Sequence, residues 1–253
     1  MLLELKHVSK SFGGLRAVND INIGVKAGMI SALIGPNGAG KSTVINLVTG
    51  VHRVTEGEIL FAGANICGLH RHKIVERGLA RTFQLIKMFK GMTVLENVMV
   101  GAHHWATHGR FLPIILNRNT VREEEKEVYD YALKMLRIVG LEKLAQQAAV
   151  NLPHGQQRLL EVARSMATRP KLILLDEPAA GLNGFEEGLL KDALQAILAH
   201  GTTVLMVEHH MKLVMSVSAI VHVMDAGKKI AEGAPAEIGQ NPAVVKAYLG
   251  KEY

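Results

Sequence analysis

Apolar and polar positions alternate near the start of the chain. Leu3 and Leu5, then Val18, Ile21, Ile23 and Val25, recur at strand spacing and predict strands over 2–8 and 17–25. Ser11-Phe12-Gly13-Gly14 between them reads as a turn. Later the alternation gives way to an unbroken apolar run at Leu172–Leu175 and to largely apolar runs at Met29–Ile34, Thr202–Val207 and Ala219–Met224. Runs of that kind mark strands buried on both faces of a parallel sheet. Short strands are expected over 57–63 and 79–83, and the turn Asp225-Ala226-Gly227 leads into 229–232. Helices are expected over 44–48, 71–78 and 186–200. A last helix over 241–250 has Asn241 as its cap, Pro242 at its first position and Gly250 at its end. From 85 to 165 the texture changes. Apolar residues fall at three- and four-residue steps over 92–100 and 120–140, among them Val121, Val128, Ala132, Met135 and Leu136, which predicts a helical lobe. The charge run Arg122–Glu127 reads as its solvated face. The pattern is that of an α/β chain, with no internal repeat and no low-complexity segment.

Size and charge narrow this only a little. With 253 residues, one large domain or a core with a lobe is expected. A net charge of +6 permits nucleotide, nucleic acid or an anionic membrane face and selects none of them. Cys67 is the only cysteine, which excludes an internal disulfide and a thiolate metal cluster and fits a reducing compartment. The N-terminus lacks the apolar run of a signal peptide, and no stretch reaches the roughly 18 apolar residues of a membrane span. The chain is expected to be soluble, or held at a membrane by a partner.

Chemistry enters at Gly35-Pro36-Asn37-Gly38-Ala39-Gly40-Lys41-Ser42-Thr43, which fits the phosphate-binding loop G-x-x-x-x-G-K-[ST]. A predicted strand precedes it and a predicted helix follows. Glycines let several N–H groups turn toward an anion, and the helix start adds unpaired N–H groups and a positive dipole end. Lys41 can reach the β- and γ-phosphates, and the Ser42 hydroxyl can ligate Mg²⁺. Asp176 and Glu177 close a buried strand at its carboxyl end, where ligands bind in open α/β sheets. That places Asp176 to hold Mg²⁺ opposite Ser42, and Glu177 to orient or deprotonate water. Strand 202–207 ends in Glu208-His209-His210, and a histidine there suits a γ-phosphate contact. Phe12 could stack on a nucleobase or simply plug the turn. His103, His104 and His108 beside Trp105 are expected in a glycine-containing loop. No carboxylate or cysteine shares that cluster, so a metal role is not expected.

These motifs together resemble the ATP-binding subunit of an ABC transporter over essentially the whole chain. The phosphate loop is Gly35–Thr43, the glutamine loop ends at Gln84, the acidic strand is Leu172–Glu177 and the switch histidine is His209. Phe12 sits where this family places the aromatic that stacks on adenine. The family signature Leu-Ser-Gly-Gly-Gln appears as Leu152-Pro153-His154-Gly155-Gln156. Pro153 removes a hydroxyl and His154 replaces a glycine, while Gly155 and the helix start keep backbone N–H groups for a phosphate. Asn183 stands where the loop after Glu177 normally ends in Asp. Asn151–Arg158, Asp176–Asn183, Arg81–Gln84, Met92–Val98 and Asn241–Gly250 together resemble one branch, the first ATPase subunit of importers for branched-chain and other hydrophobic amino acids. Urea and short-amide importers look similar.

The resemblance implies a nucleotide-binding core at 1–84 and 166–253, made of a parallel sheet flanked by helices plus an N-terminal antiparallel β subdomain. The helical subdomain at 85–165 is inserted into it. It implies ATP and Mg²⁺, with Ser42, Gln84 and Asp176 on the metal and Glu177, His209 and Gln84 in catalysis. Phe12, Gly35–Thr43, Leu152, Gly155 and Gln156 would hold nucleotide, the last three acting on ATP bound by a second, identical or paralogous, ATPase subunit. The surface 85–92 would face a membrane permease, at the cytoplasmic face of the membrane. No nucleic acid is expected. A soluble ABC ATPase working on DNA or the ribosome usually needs a long coiled coil or a second fused ATPase domain, and neither is present. A phosphate-loop kinase would leave Gln84, Gly155 and His209 unused.

Overall fold

The computed structural model describes residues 1–82, 86–106 and 118–249. In chain order these form β1 (Leu3–Phe12), β2 (Leu15–Val25), β3 (Ile30–Ile34), α1 (Lys41–Val48), β4 (Glu56–Phe61), β5 (Ala64–Asn65), α2 (Arg71–Glu76) and β6 (Leu79–Arg81). Then come α3 (Val94–Ala106), α4 (Arg118–Ile138), α5 (His154–Met166), β7 (Leu172–Asp176) and α6 (Gly184–Ala199). The chain ends in β8 (Thr203–Val207), α7 (Met211–Val217), β9 (Ile220–Asp225), β10 (Lys228–Gly233), α8 (Pro235–Gln240) and α9 (Pro242–Leu249).

The larger sheet has the order β10-β9-β3-β8-β7-β6. Its neighbours are parallel except for β10, which closes one edge antiparallel to β9. The smaller sheet is antiparallel in the order β2-β1-β4-β5. Every residue of β3, β7 and β8 is buried, as their largely apolar sequences require. Successive side chains still leave on opposite faces. Ile30, Ala32, Ile34, Ile173, Leu175, Val204 and Met206 join one core with the lobe helices. Leu33, Leu172, Leu174, Leu205 and Val207 join a second core with α1 and the antiparallel sheet. The large sheet is therefore the wall between two apolar layers.

Two local expectations need correcting. β1 runs on through Phe12, which pairs with Leu15 across the two-residue turn Gly13-Gly14, so Phe12 is a strand residue and the turn is tighter. His103 and Trp105 lie on α3, not in a loop. Gly101 sits inside this helix, where an added Cβ would collide with the Arg164 carbonyl on α5. There glycine serves close helix packing rather than a turn. Trp105 is anchored by its indole N–H, which donates to the Ala167 carbonyl at 2.8 Å, and Arg169 lies 3.5 Å over its ring. Among the described residues no cluster of three metal-ligating side chains forms, and His108 lies outside them. The helices α7 and α8, and the two-residue strand β5, have no counterpart in the sequence reading.

Candidate functional site

The phosphate loop spans the end of β3 and the first turn of α1. Gly35 has φ 151°, and a Cβ there would run into the Met224 carbonyl, so only glycine fits the turn out of the sheet. Ala39 N–H donates back to the Pro36 carbonyl at 3.1 Å, and the Ala39 carbonyl accepts from Gly227 N–H at 3.1 Å, which ties the loop to the β9–β10 turn. No side chain caps α1, whose cap position is Gly40, so no side chain competes for its leading N–H groups, as an anion site needs. Lys41 is nearly buried. Its ammonium donates to the Gly35 carbonyl at 2.7 Å and to the Pro36 carbonyl at 3.1 Å. Ser42 is exposed beside it.

Strand order brings the second half of the site alongside. β3, β8 and β7 are adjacent, and Leu33 and Asp176 are both level with Val207. The loops after these strands therefore leave one edge at one height. Glu177 is held at φ 48°, a left-handed conformation that a glutamate adopts only when its surroundings impose it. Its N–H donates to the Val207 carbonyl at 2.9 Å. His209 Nδ1 lies 3.9 Å from Glu177 Oε1, with His209 well exposed and Glu177 about a quarter exposed. Asp176 is almost buried and paired with Arg81 of β6 at 2.9 Å. Arg81 also donates to Asn46 Oδ1 at 2.7 Å and Thr49 Oγ1 at 3.2 Å on α1, so one guanidinium joins the acidic strand to the phosphate-loop helix.

The remaining sequence-predicted residues sit on other elements. Phe12 ends β1 with 42% of its surface exposed, its ring edge-on to His52 at 5.1 Å and 4.9 Å from the Lys10 ammonium. Leu152 is buried just before α5, with Pro153 at the cap and His154 and Gly155 as the first helical residues. Gln157 Nε2 donates to the Leu152 carbonyl at 2.8 Å and fixes the bend. Gly155 N–H donates to Glu186 Oε1 at 3.1 Å, while Glu186 Oε2 accepts from Asn183 N–H at 3.0 Å. Glu186 thus links the starts of α5 and α6. Gln84 lies outside the described residues.

Three residues the sequence reading left without a role now have partners. Arg81 appeared only within Arg81–Gln84. Glu208 appeared only as the neighbour of His209, yet it is completely buried. Glu186 had a readable signal: Asn183 and Glu186 have capping-box spacing, and Asn183 Oδ1 accepts from Phe185 and Glu186 N–H at 3.0 Å each.

A nucleoside triphosphate fits this edge: a helix start and a lysine for phosphates, two carboxylates and a histidine beyond them. Comparison with known proteins decides which family uses it. The family model described as "ABC transporter" matches residues 18–180, and that described as "Branched-chain amino acid ATP-binding cassette transporter" matches residues 228–253. The chain is 45% identical over 251 residues to the high-affinity branched-chain amino acid transport ATP-binding protein BraF of Pseudomonas aeruginosa, covering 99% of this chain and 98% of that one. It is 42% identical, with the same coverage, to the corresponding protein LivG of Escherichia coli K12. The crystal structure of the ADP conformation of an ATP-binding cassette of an ABC transporter superposes with a TM-score of 0.83 at 32% identity, covering 99% of each chain.

The chain belongs to the ABC transporter ATP-binding family. It is an ATPase whose nucleotide is ATP and whose hydrolysis serves transport. Among its described residues no helix of this ABC ATPase is long and apolar enough to cross a membrane.

Proposed function

We propose that the chain is the ATPase subunit of an importer for branched-chain or other hydrophobic amino acids. The observation that carries this reading is full-length similarity to relatives named for high-affinity branched-chain amino acid transport, together with the match at residues 228–253. Residues 1–84 and 166–253 form the nucleotide core, and 85–165 form the helical subdomain that conveys its state to a permease. The subunit works at the cytoplasmic face of the membrane without entering it.

Phe12 stacks on adenine, and Gly35–Thr43 hold the phosphates. Glu177 orients or deprotonates the attacking water, His209 contacts the γ-phosphate, and Gln84 links the site to the lobe. Leu152, Gly155 and Gln156 act on ATP held by a second ATPase subunit, identical or paralogous. Ser42, Asp176 and Gln84 would hold Mg²⁺. The hydroxyl of Ser42 and the carboxylate of Asp176 are the hard oxygen donors this ion prefers. Bound with the nucleotide, Mg²⁺ supplies positive charge against the phosphate oxygens.

Uptake of labelled leucine, isoleucine and valine into cells that carry or lack the gene tests the solute. Uptake should fall in the deletion and return with the wild-type chain, but not with Glu177→Gln. That variant should keep ATP binding and lose about 100-fold or more of its turnover, in line with loss of a general base. Unchanged turnover in Glu177→Gln would remove Glu177 from that role. Loss of urea uptake with leucine uptake intact would overturn the amino-acid assignment.

A further inference from the structure

Glu208 follows β8 and has no exposed surface. A buried carboxylate is unfavourable unless its charge is met by hydrogen bonds. Here three backbone N–H groups meet it. Oε1 accepts from Ala179 at 2.7 Å, and Oε2 accepts from His209 at 3.0 Å and His210 at 3.2 Å. One oxygen serves the loop after β7, and the other serves the loop after β8. Pro178 has no N–H, so Ala179 is the first residue after Glu177 whose amide can be held. Glu177 itself is in a left-handed conformation, and its Oε1 stands 3.9 Å from His209 Nδ1.

We propose that Glu208 is a positioning residue for ATP hydrolysis: its carboxylate fastens the loop bearing Glu177 to the loop bearing His209 and so sets the spacing of the two side chains. The assignment rests on the reading of Glu177 and His209 as the catalytic pair. Two properties of the side chain matter. Both oxygens must accept, because one alone leaves a loop unheld. The anion must also be buried, because charge-assisted bonds to backbone N–H groups are the strong ones. Glutamine has nearly the same shape but one acceptor oxygen, and it turns an NH₂ group toward N–H donors. Glu208→Gln therefore releases one of the two loops while the phosphate loop, on β3 and α1, is untouched.

The test is steady-state ATP hydrolysis by the full-length chain as wild type, Glu208→Gln, His209→Ala and the double variant, with thermal melting as a check on folding. Glu208→Gln should lower kcat about 10- to 100-fold, the scale expected when catalytic groups shift by an ångström or less. KM for ATP should stay within about twofold, since ground-state binding is retained. In the His209→Ala background the same substitution should lower kcat by less than about threefold, because the two residues act through one geometry. Wild-type turnover in Glu208→Gln, a parallel rise in KM, or a full multiplicative loss on top of His209→Ala would each overturn the proposal. Unchanged turnover in His209→Ala alone would instead refute the catalytic reading on which it rests. If Glu208→Gln does not fold, Glu208→Asp, whose shortened carboxylate cannot span both loops, carries the same cycle and the same criteria.

Discussion

Replacing Arg81 with Met tests how the Asp176 charge is held. The guanidinium meets Asp176 Oδ2 at 2.9 Å, with the two side chains 14% and 9% exposed, and it also bonds Asn46 and Thr49. Met keeps the aliphatic length and removes every donor. Breaking a buried ion pair from one side costs about 3–5 kcal/mol, chiefly through the charge left behind. Water at the open sheet edge reaches part of this pair, so the low end, about 3 kcal/mol, applies. For a chain of this size each kcal/mol lowers the melting temperature by roughly 2–4 °C, which gives a fall of roughly 6–12 °C. Asp176→Asn in the same background removes the stranded charge. The double variant should therefore recover about 2 kcal/mol relative to the sum of the singles. Thermal melting in nucleotide-free buffer, at one scan rate and one protein concentration, measures all four proteins. An Arg81→Met protein melting within about 2 °C of wild type would refute the reasoning, given the slope above. So would strict additivity of the two substitutions.

Other perturbations follow from the same contacts. Gly155→Ala puts a Cβ against the Glu186 carboxylate, whose bonds to Gly155 and Asn183 must then break. A net loss of about 1 kcal/mol is expected after the helix gain of Ala over Gly, and that loss should vanish in a Glu186→Ala background, as melting will register. Phe12→Ala should raise KM for ATP about 5- to 30-fold with kcat little changed, since stacking on an aromatic is worth about 1–2 kcal/mol. His222 is completely enclosed in β9, and burial pulls its pKa below the ordinary 6.5, partly opposed by Glu232 at 3.3 Å. The unfolded chain thus takes up a proton at a higher pH than the folded one, so stability falls as pH drops below about 6.5, by at most about 1.4 kcal/mol per pH unit from this group. Melting measured from pH 7.5 to 5.0 should decline less steeply in His222→Leu, with a remaining slope from His200, whose pKa is lowered chiefly by burial and also by Lys134.

The strands and the phosphate loop were legible because each follows from a local rule. β3, β7 and β8 announce themselves as largely apolar runs, and the loop announces itself by spacing and flanks. The strand end at His209 and the turn at Phe12 already suggested roles that family resemblance sharpened, while the altered signature loop came from the resemblance alone, since no local rule gives a reason for it. What stayed hidden depends on contacts distant in sequence. Arg81 reaches Asp176 across 95 positions and Asn46 across 35. Glu208 reaches Ala179 across 29, and Gly155 reaches Glu186 across 31. No periodicity records such pairings. Gly101 is a related case: glycine as a turn signal and glycine as a close-packing site look the same until the facing Arg164 carbonyl is in view.

The hidden contacts share one consequence. Groups proposed to meet phosphate or metal already have partners within the chain. Lys41 bonds the Gly35 and Pro36 carbonyls, Asp176 bonds Arg81, and Gly155 N–H bonds Glu186. Each partner lies on or beside a segment proposed to engage nucleotide: the loop itself, the strand before Gln84, and the helix that follows Asn183. On the proposed assignment, engagement of these groups by ATP would be an exchange of partners rather than the filling of a rigid cup. The free energy gained is the difference between the two sets of contacts, which is smaller than either. An exchange of that kind would let each segment shift as nucleotide arrives or is hydrolysed, because a released Arg81 or Glu186 would free the element it was holding. A site with fully preformed, idle donors would bind ATP more tightly and convey less of its arrival to the lobe.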